Sequence, residues 1–230
     1  MAALDVHAHI LPGMDDGSGS VEESLTLLRS SAAQGVGRMA ATPHFDPQEL
    51  GPKAFLARRE AAAESLRAAW EPGLPELLLG AEVSYFEGVS RTAELDALRI
   101  EGSELLLLEM PFRAWPERLV REVADINRRQ GLTVLLAHVE RYLWYQKPEA
   151  WDTLLQAGIL CQCNAGFFLD LRTRRRALRL LKEGKVHFLA SDCHNPRSQP
   201  PRLGEALAGL DAAGRELLEG YTERYFSTEG

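Results

Sequence analysis

The chain has 230 residues, 45% of them apolar and 26% charged, with a net charge of −7. That length and composition fit one globular domain with a good-sized core, spanning residues 1–230. They exclude a duplex nucleic-acid binder, which presents a basic surface, and a membrane-spanning chain, because no run of about 18 apolar residues occurs.

Apolar runs alternate with helical patterns along the chain. The first predicted strand, Leu4–His9, contains Asp5-Val6-His7-Ala8-His9. Histidines at i and i+2 on a strand share a face. Asp5 has the same parity; it reads either as an acceptor holding an imidazole or as a polar residue at the strand start. Asp15-Asp16-Gly17 follows. It is a turn sequence, or a loop carrying a carboxylate over the first strand, with Asp16 the favoured ligand. A helix is expected over Ser20–Gln34, with Ser20 as cap and Glu23 three residues on. Strand Arg38–Thr42 leads to His44, and helix Pro52–Trp70 to strand Leu77–Val83, which carries Glu82. Strand Leu105–Glu109 ends in Glu109, helix Pro116–Gln130 follows, and strand Thr133–His138 ends in His138. Helix Glu149–Ala157, strand Ile159–Asn164, helix Thr173–Glu183 and strand Val186–Ser191 come next, then Asp192 and His194. Helices Pro201–Gly209 and Ala212–Tyr225 close the chain. Gly35, Gly131, Gly158 and Gly184 sit just past helical patterns, where a left-handed residue is expected.

About seven β-α repeats with near-continuous apolar strands predict a parallel β/α barrel rather than an open sheet. In such barrels chemistry sits at the C-terminal strand ends. His7, His9, His44, Glu82, Glu109, His138, Asp192 and His194 fall there, strand after strand. Imidazoles and carboxylates converging in this way suit a cluster of divalent metals. His187, inside an apolar run, reads as structural. Arg141, three residues past His138, is the leading candidate for binding an anionic group; Arg197 and Arg202 rank below it. Pro43–Pro52 and Asn195–Arg202 read as loops on the same face. Phe45, Phe112, Trp115, Tyr142, Phe167 and Phe168 cluster in the loops expected on the active face, either to hold a ring or to pack.

Cys161, Cys163 and Cys193 are odd in number and do not form a disulfide framework, which fits a reducing cytoplasm. None has an Arg six residues on, as a thiolate phosphatase would require. Gly-x-Ser-x-Gly and a Walker loop are also absent.

Asp-Val-His-Ala-His-Ile-Leu-Pro-Gly-Met-Asp-Asp-Gly-Ser (5–18) resembles the opening of the polymerase and histidinol phosphatase (PHP) superfamily. More narrowly, it is similar to the bacterial metal-dependent tyrosine phosphatases of capsule and exopolysaccharide operons. Ala-Thr-Pro-His-Phe (41–45), Gly-Ala-Glu-Val (80–83), Leu-Leu-Glu-Met-Pro (107–111), Ala-His-Val-Glu-Arg-Tyr (137–142), Gln-Cys-Asn-Ala-Gly (162–166) and Ser-Asp-Cys-His-Asn (191–195) match that group in order. The resemblance implies a distorted parallel (β/α)7 barrel of the PHP type and three divalent metals, with Mn favoured over Fe or Zn. It implies one metal on His7, His9, Glu82 and Asp192, a second on Glu82, Glu109 and His138, and a third on Asp16, His44 and His194. Arg141 would bind the phosphoryl group. The family's second phosphate-binding Arg falls where Gln199 stands, with Arg197 nearest.

The expected reaction is hydrolysis of phosphotyrosine on a protein, by a metal-bridging hydroxide and with His194 as one possible proton donor. A bacterial tyrosine kinase is the partner the resemblance suggests. Two rival enzyme readings are a histidinol-phosphate or nucleotide phosphatase of the same superfamily, and an amidohydrolase-like barrel, whose metal-bridging Lys has no counterpart here. A third reading is a non-catalytic phosphotyrosine- or metal-binding subunit.

Overall fold

The computed structural model describes residues 2–226. Nine parallel strand segments alternate with helices: β1 (Ala3–Ala8), α1 (Val21–Ala33), β2 (Val36–Ala41), β3 (His44–Phe45), α2 (Pro52–Arg67), β4 (Glu76–Leu79), β5 (Glu82–Ser84), β6 (Leu105–Glu109), α3 (Glu117–Gln130), β7 (Thr133–Leu136), α4 (Pro148–Gln156), β8 (Leu160–Asn164), α5 (Ala165–Leu169), α6 (Arg174–Lys182), β9 (Phe188–Ala190), α7 (Leu203–Ala208) and α8 (Ala212–Tyr225). Short 3₁₀ turns cover Val89–Arg91, Ala93–Leu98 and Val139–Arg141. No helix among the described residues is long and apolar enough to cross a membrane.

The result is a mixed α/β fold with a curled parallel sheet. Strands β1-β2-β4 form one ladder and β3-β5-β6-β7-β8-β9 the other. Only Thr42 and Pro43 separate β2 from β3, and Pro43 has no N–H for a ladder. Only Gly80 and Ala81 separate β4 from β5, so the single strand expected over Leu77–Val83 is two segments. Gly80 N–H still donates to Ala41 O at 2.9 Å, and Glu82 N–H to Pro43 O at 3.0 Å, linking the two ladders. At the far edge the chain returns to β1: Asp192 N–H donates to His7 O, and His9 N–H to Cys193 O, both at 2.9 Å.

Alternation along the strands builds two apolar layers. Leu106, Leu108, Val134 and Leu136 face the helices, packing with residues such as Leu28, Val123 and Leu181. Leu105, Leu107, Leu135, Leu160 and Phe188 face the concave side, with Phe226. Residues of this inner parity further along each strand reach the C-terminal end, where Glu82, Glu109, Gln162 and Asp192 stand.

The helix ends follow local chemistry. Ser20 caps α1, its hydroxyl accepting from Glu23 N–H, while the Glu23 carboxylate turns back to Gly19 N–H at 2.8 Å. Helix α3 stops at Gly131, with φ of 66°, a conformation costly for any residue with a Cβ. Gly35, Gly158 and Gly184 share a positive φ, as expected.

Candidate metal centre

A register shift lies between Asp5 and Ala8 of β1. Before it, Leu4 and Val6 belong to the concave layer; after it, Ala8 belongs to the outer one. The bulge re-aims the strand, as bulges beside functional sites do, and brings His7 and His9 inward. It also removes Asp5 from their face. Asp5 holds no imidazole: its Oδ1 accepts the backbone N–H of Ser191 at 3.0 Å, tying β1 to the segment after β9. Burial raises its carboxyl to about 6.

The nine predicted ligands meet in one place. His7 Nε2 lies 3.1 Å from His9 Nε2. Glu82 Oε2 is 2.9 Å from His44 Nδ1, 3.3 Å from His7 Nε2 and 3.4 Å from His9 Nε2. Asp192 Oδ1 stands 3.4 and 3.6 Å from the same two Nε2 atoms. On the other side, His138 Nε2 is 2.9 Å from Glu82 Oε1 and 3.4 Å from Glu109 Oε1. Asp16 Oδ1 lies 3.5 Å from His44 Nε2 and 3.6 Å from His194 Nε2. Ligand atoms each about 2.1 Å from one ion stand roughly 3–3.5 Å apart, which is the spacing found here.

Hydrogen bonding alone leaves this cluster unsatisfied. Glu82 Oε2 is buried with no hydrogen-bond partner, although three imidazole nitrogens surround it. Two imidazole Nε2 atoms face each other. The carboxylates of the pocket also call for positive charge beyond that of Arg141. Burial pulls His7 down, yet Glu82 and Asp192 outweigh it and raise His7 to about 10. Burial opposes ionisation of Glu82, yet His7, His138 and His44 hold its carboxyl well below the usual range. Divalent cations satisfy both demands, and an imidazole–carboxylate set without thiolate suits Mn, Fe or Zn.

Residues not identified as site residues from sequence fix the imidazoles. His9 Nδ1 donates to Asp15 Oδ2 at 2.7 Å. The sequence favours Asp16 over Asp15, but Asp15 is the buried carboxylate, while Asp16 projects from the loop toward His44 and His194. Burial opposes its ionisation, but His9 holds it down at about 2. Gln162 Oε1 accepts His138 N–H at 2.7 Å, so its oxygen faces β7 and also accepts His7 Nδ1–H at 3.2 Å. Both bonds leave the Nε2 lone pairs of His7 and His9 facing the pocket. Gln162 Nε2 donates to Asn164 Oδ1, and Asn164 Nδ2 donates to Asp192 Oδ2 at 2.6 Å. His138 and Asp192, with φ of 30° and 51°, are the two non-glycine residues with positive φ among those described. Strain of this kind gathers at functional sites.

Arg141 reaches the cluster, its Nη2 donating to Asp192 Oδ2 at 2.7 Å. Arg197 is exposed and, among the described residues, held only through its backbone N–H, which donates to Asn195 Oδ1. Arg202 pairs with Glu205 at 2.7 Å and takes no part. Gln199 braces the ligand segment instead: its side chain donates to Asp192 O, and its own carbonyl accepts His194 N–H at 3.1 Å. His194 stacks on His9 at 4.0 Å. Its Nδ1 donates to Asp192 O at 3.0 Å, which leaves Nε2 as a lone-pair nitrogen. That tautomer favours ligation over proton donation.

Of the six loop aromatics, Phe112 alone is largely exposed. Its ring is nearly parallel to that of His138, with centroids 6.1 Å apart. Phe45, Trp115, Tyr142 and Phe168 are buried, and Phe167 packs against Phe168. His187 accepts Cys161 N–H at 3.0 Å and is structural. All three cysteines are buried free thiols, their pKa values pushed up by burial.

Residues 3–228 match the family described as "Capsular polysaccharide synthesis, CpsB/CapC". The chain is 29% identical over 227 residues to the tyrosine-protein phosphatase YwqE of Bacillus subtilis, with 96% of this chain and 89% of that protein covered. It superposes with a TM-score of 0.80, at 26% identity, on a solved structure of the YwqE and CpsB group, described as unique metal-dependent tyrosine phosphatases; 96% of this chain and 92% of that one are covered. A histidinol phosphate phosphatase from Lactococcus lactis shares the fold at a TM-score of 0.56 and 13% identity, covering 97% and 93% of the two chains. With the match running nearly end to end, the chain belongs to the CpsB/CapC family of capsular polysaccharide synthesis proteins.

Proposed function

We propose that the chain is a metal-dependent protein-tyrosine phosphatase. The observation that carries this reading is Glu82, a buried carboxylate meeting His7, His9 and His44 on one oxygen and His138 on the other, with an oxygen no hydrogen bond satisfies. The relatives' names supply the substrate class.

In this reading His7, His9, Glu82 and Asp192 would hold one divalent ion, Glu82, Glu109 and His138 a second, and Asp16, His44 and His194 a third, with Mn the proposed metal. When bound, such ions supply Lewis acidity, polarising the phosphoryl group and making water acidic enough to act as nucleophile. Arg141 binds the phosphoryl oxygens in its planar fork and stabilises charge as the ester bond breaks. It leaves Asp192 Oδ2 to do so, and Asn164 keeps that oxygen satisfied. Asp15 and Gln162 hold His9 and His7 in the tautomers that present Nε2. Phe112 forms an apolar wall for the phenol ring at the mouth of the site. The phenol, with a pKa near 10, leaves without needing a strong acid.

We also read the curled sheet as the distorted (β/α)7 barrel expected from sequence, and residues 1–230 as one domain. The paired segments β2/β3 and β4/β5, and the hydrogen bonds from Asp192 and His9 to the opposite edge, support that reading. The proposed substrate is a phosphorylated bacterial tyrosine kinase in the cytoplasm, in keeping with the family's role in capsular polysaccharide synthesis.

The test is His138→Ala and Asp192→Ala, assayed on p-nitrophenyl phosphate and a phosphotyrosyl peptide with added Mn. Turnover should be lost, together with bound metal measured by elemental analysis. Near-wild-type turnover in either variant overturns the mechanism. Faster turnover of histidinol phosphate than of the peptide reassigns the substrate to small molecules.

A further inference from the structure

We infer a second recognition surface beside the site, built to take an acidic polypeptide segment flanking the phosphotyrosine. It rests on the phosphatase reading and adds to it what the enzyme recognises around the scissile residue.

Five large apolar side chains stand exposed among the described residues, and four of them lie on one face. Phe112 follows β6, Trp144 and Tyr145 follow β7, and Leu171 follows the β8–α5 unit. These loops leave the same strand ends that carry Glu109, His138 and Asn164. Trp144 is 82% exposed and Leu171 90%. Exposed aromatic groups clustered around a site mark a binding surface rather than a scatter of lone residues.

The same loops are basic. Segments 110–116, 141–147 and 171–176 hold seven Lys or Arg and no Asp or Glu, in a chain whose net charge is −7. Four of the seven are arginines between 172 and 176. Three of those open helix α6, whose first turn carries no acidic residue. Cations at a helix N-terminus oppose the helix dipole, so local stability does not account for them. Arg174 donates to Gly209 O at 2.7 Å and is engaged with the fold. Arg176 is placed differently: its guanidinium lies 4.7 Å from the centroid of the Trp144 ring. This cation–π pair links the loop of Arg141 to helix α6. One face of the indole is covered and the rest is open to solvent.

An exposed indole covered on one face by the Arg176 guanidinium, in loops that carry seven Lys or Arg, complements acidic side chains interspersed with aromatic or apolar ones. Continuity with Arg141 favours a peptide whose phosphotyrosine enters the site while its flanks lie across Trp144 and Arg176.

The test uses Trp144→Ala with Arg176→Ala, and separately Arg172→Glu with Arg175→Glu, in the full chain with Mn. Wild type should turn over a phosphotyrosyl peptide with acidic flanks at least about tenfold better, in kcat/KM, than one with neutral flanks, through KM, and the advantage should shrink as salt rises. Both variants should lose that preference and keep turnover of p-nitrophenyl phosphate. Binding of a fluorescent, unphosphorylated acidic peptide should weaken in parallel, which reads the surface without catalysis. Equal use of acidic and neutral peptides by wild type overturns the proposal, as does equal loss on all substrates. Binding to phosphatidylserine vesicles with no peptide preference overturns it in favour of a membrane surface. A chain that hydrolyses no phosphotyrosine yet binds the acidic peptide through Trp144 and Arg176 removes the phosphatase reading and leaves the surface standing.

Discussion

Asp15 Oδ2 accepts His9 Nδ1–H at 2.7 Å and the backbone N–H of His44 at 3.0 Å. One buried carboxylate therefore sets the tautomer of one candidate ligand and the position of another. Partners of this kind typically change metal affinity 10–100-fold when removed. Asp15→Ala should weaken Mn binding by about that factor, measured by calorimetric titration of metal-stripped protein, while the far-ultraviolet circular dichroism stays native. Asp15→Asn can keep one oxygen for both donors but loses the charge and turns its amide nitrogen toward Gly17 N–H, whose acceptor is Oδ1, and should fall between. An Asp15→Ala protein that binds Mn as tightly as wild type would show that His9 needs no outside support.

Arg141 is bonded to Asp192 but supplies no ligand atom in the proposed centre. Its removal should spare metal content and strike catalysis. Losing a donor that stabilises transition-state charge costs about 10²–10³-fold, so Arg141→Ala should reduce kcat/KM on p-nitrophenyl phosphate by that order. Lys cannot reproduce the planar fork, and Arg141→Lys should recover little. Full activity of the Lys variant would reduce Arg141 to a simple counter-charge.

Gly17 lies against the first ligand strand. A Cβ there would sit 2.3 Å from His9 O and 2.5 Å from His9 Cβ, with Asp15 Oδ1 at 2.9 Å. The first of these is backbone, so the loop must move rather than a side chain swing aside. Overpacking of this sort costs about 1–3 kcal/mol. Gly17→Ala should lower the melting temperature of the metal-free protein, and it should weaken Mn binding by displacing Asp15 from His9. Loss of stability with Mn affinity intact would place the strain in the loop alone.

The candidate site was more legible than its supports. Apart from His7 inside β1 and Asp16 in the loop beyond it, every proposed ligand ends or follows an apolar run, and charge at the end of such a run stands out against the alternation. Asp5 was misread as sharing a face with His7 and His9 because the alternation assumes an unbroken strand; the bulge between Asp5 and Ala8 is not visible as composition. Gln162 carries no charge and acts on a histidine 155 residues away, so nothing local marks it. Asp15 and Asp16 are chemically alike, and only the loop's path decides which is buried. The 3₁₀ turns over Val89–Arg91 and Ala93–Leu98 were not anticipated either, since short turns have too few residues to show a helical period.

His187 provides a stability test away from the metal centre. Its Nδ1 accepts Cys161 N–H at 3.0 Å, and its ring meets Tyr221 edge-on with centroids 4.8 Å apart. Burial lowers its pKa to about 4, against about 6.5 in the unfolded chain. Between those values the unfolded chain binds the extra proton, so stability is complete above pH 6.5 and falls as the pH drops toward 4. From pH 6.5 to 5 this one group should withdraw about 2 kcal/mol. His187→Asn keeps an acceptor near Nδ1 and removes the titration. In urea unfolding of metal-free protein, wild type should lose about 2 kcal/mol more than the variant over that interval. Parallel pH curves for the two proteins would mean that His187 is solvated enough to protonate in place, and that the Cys161 bond does not depend on its neutral form.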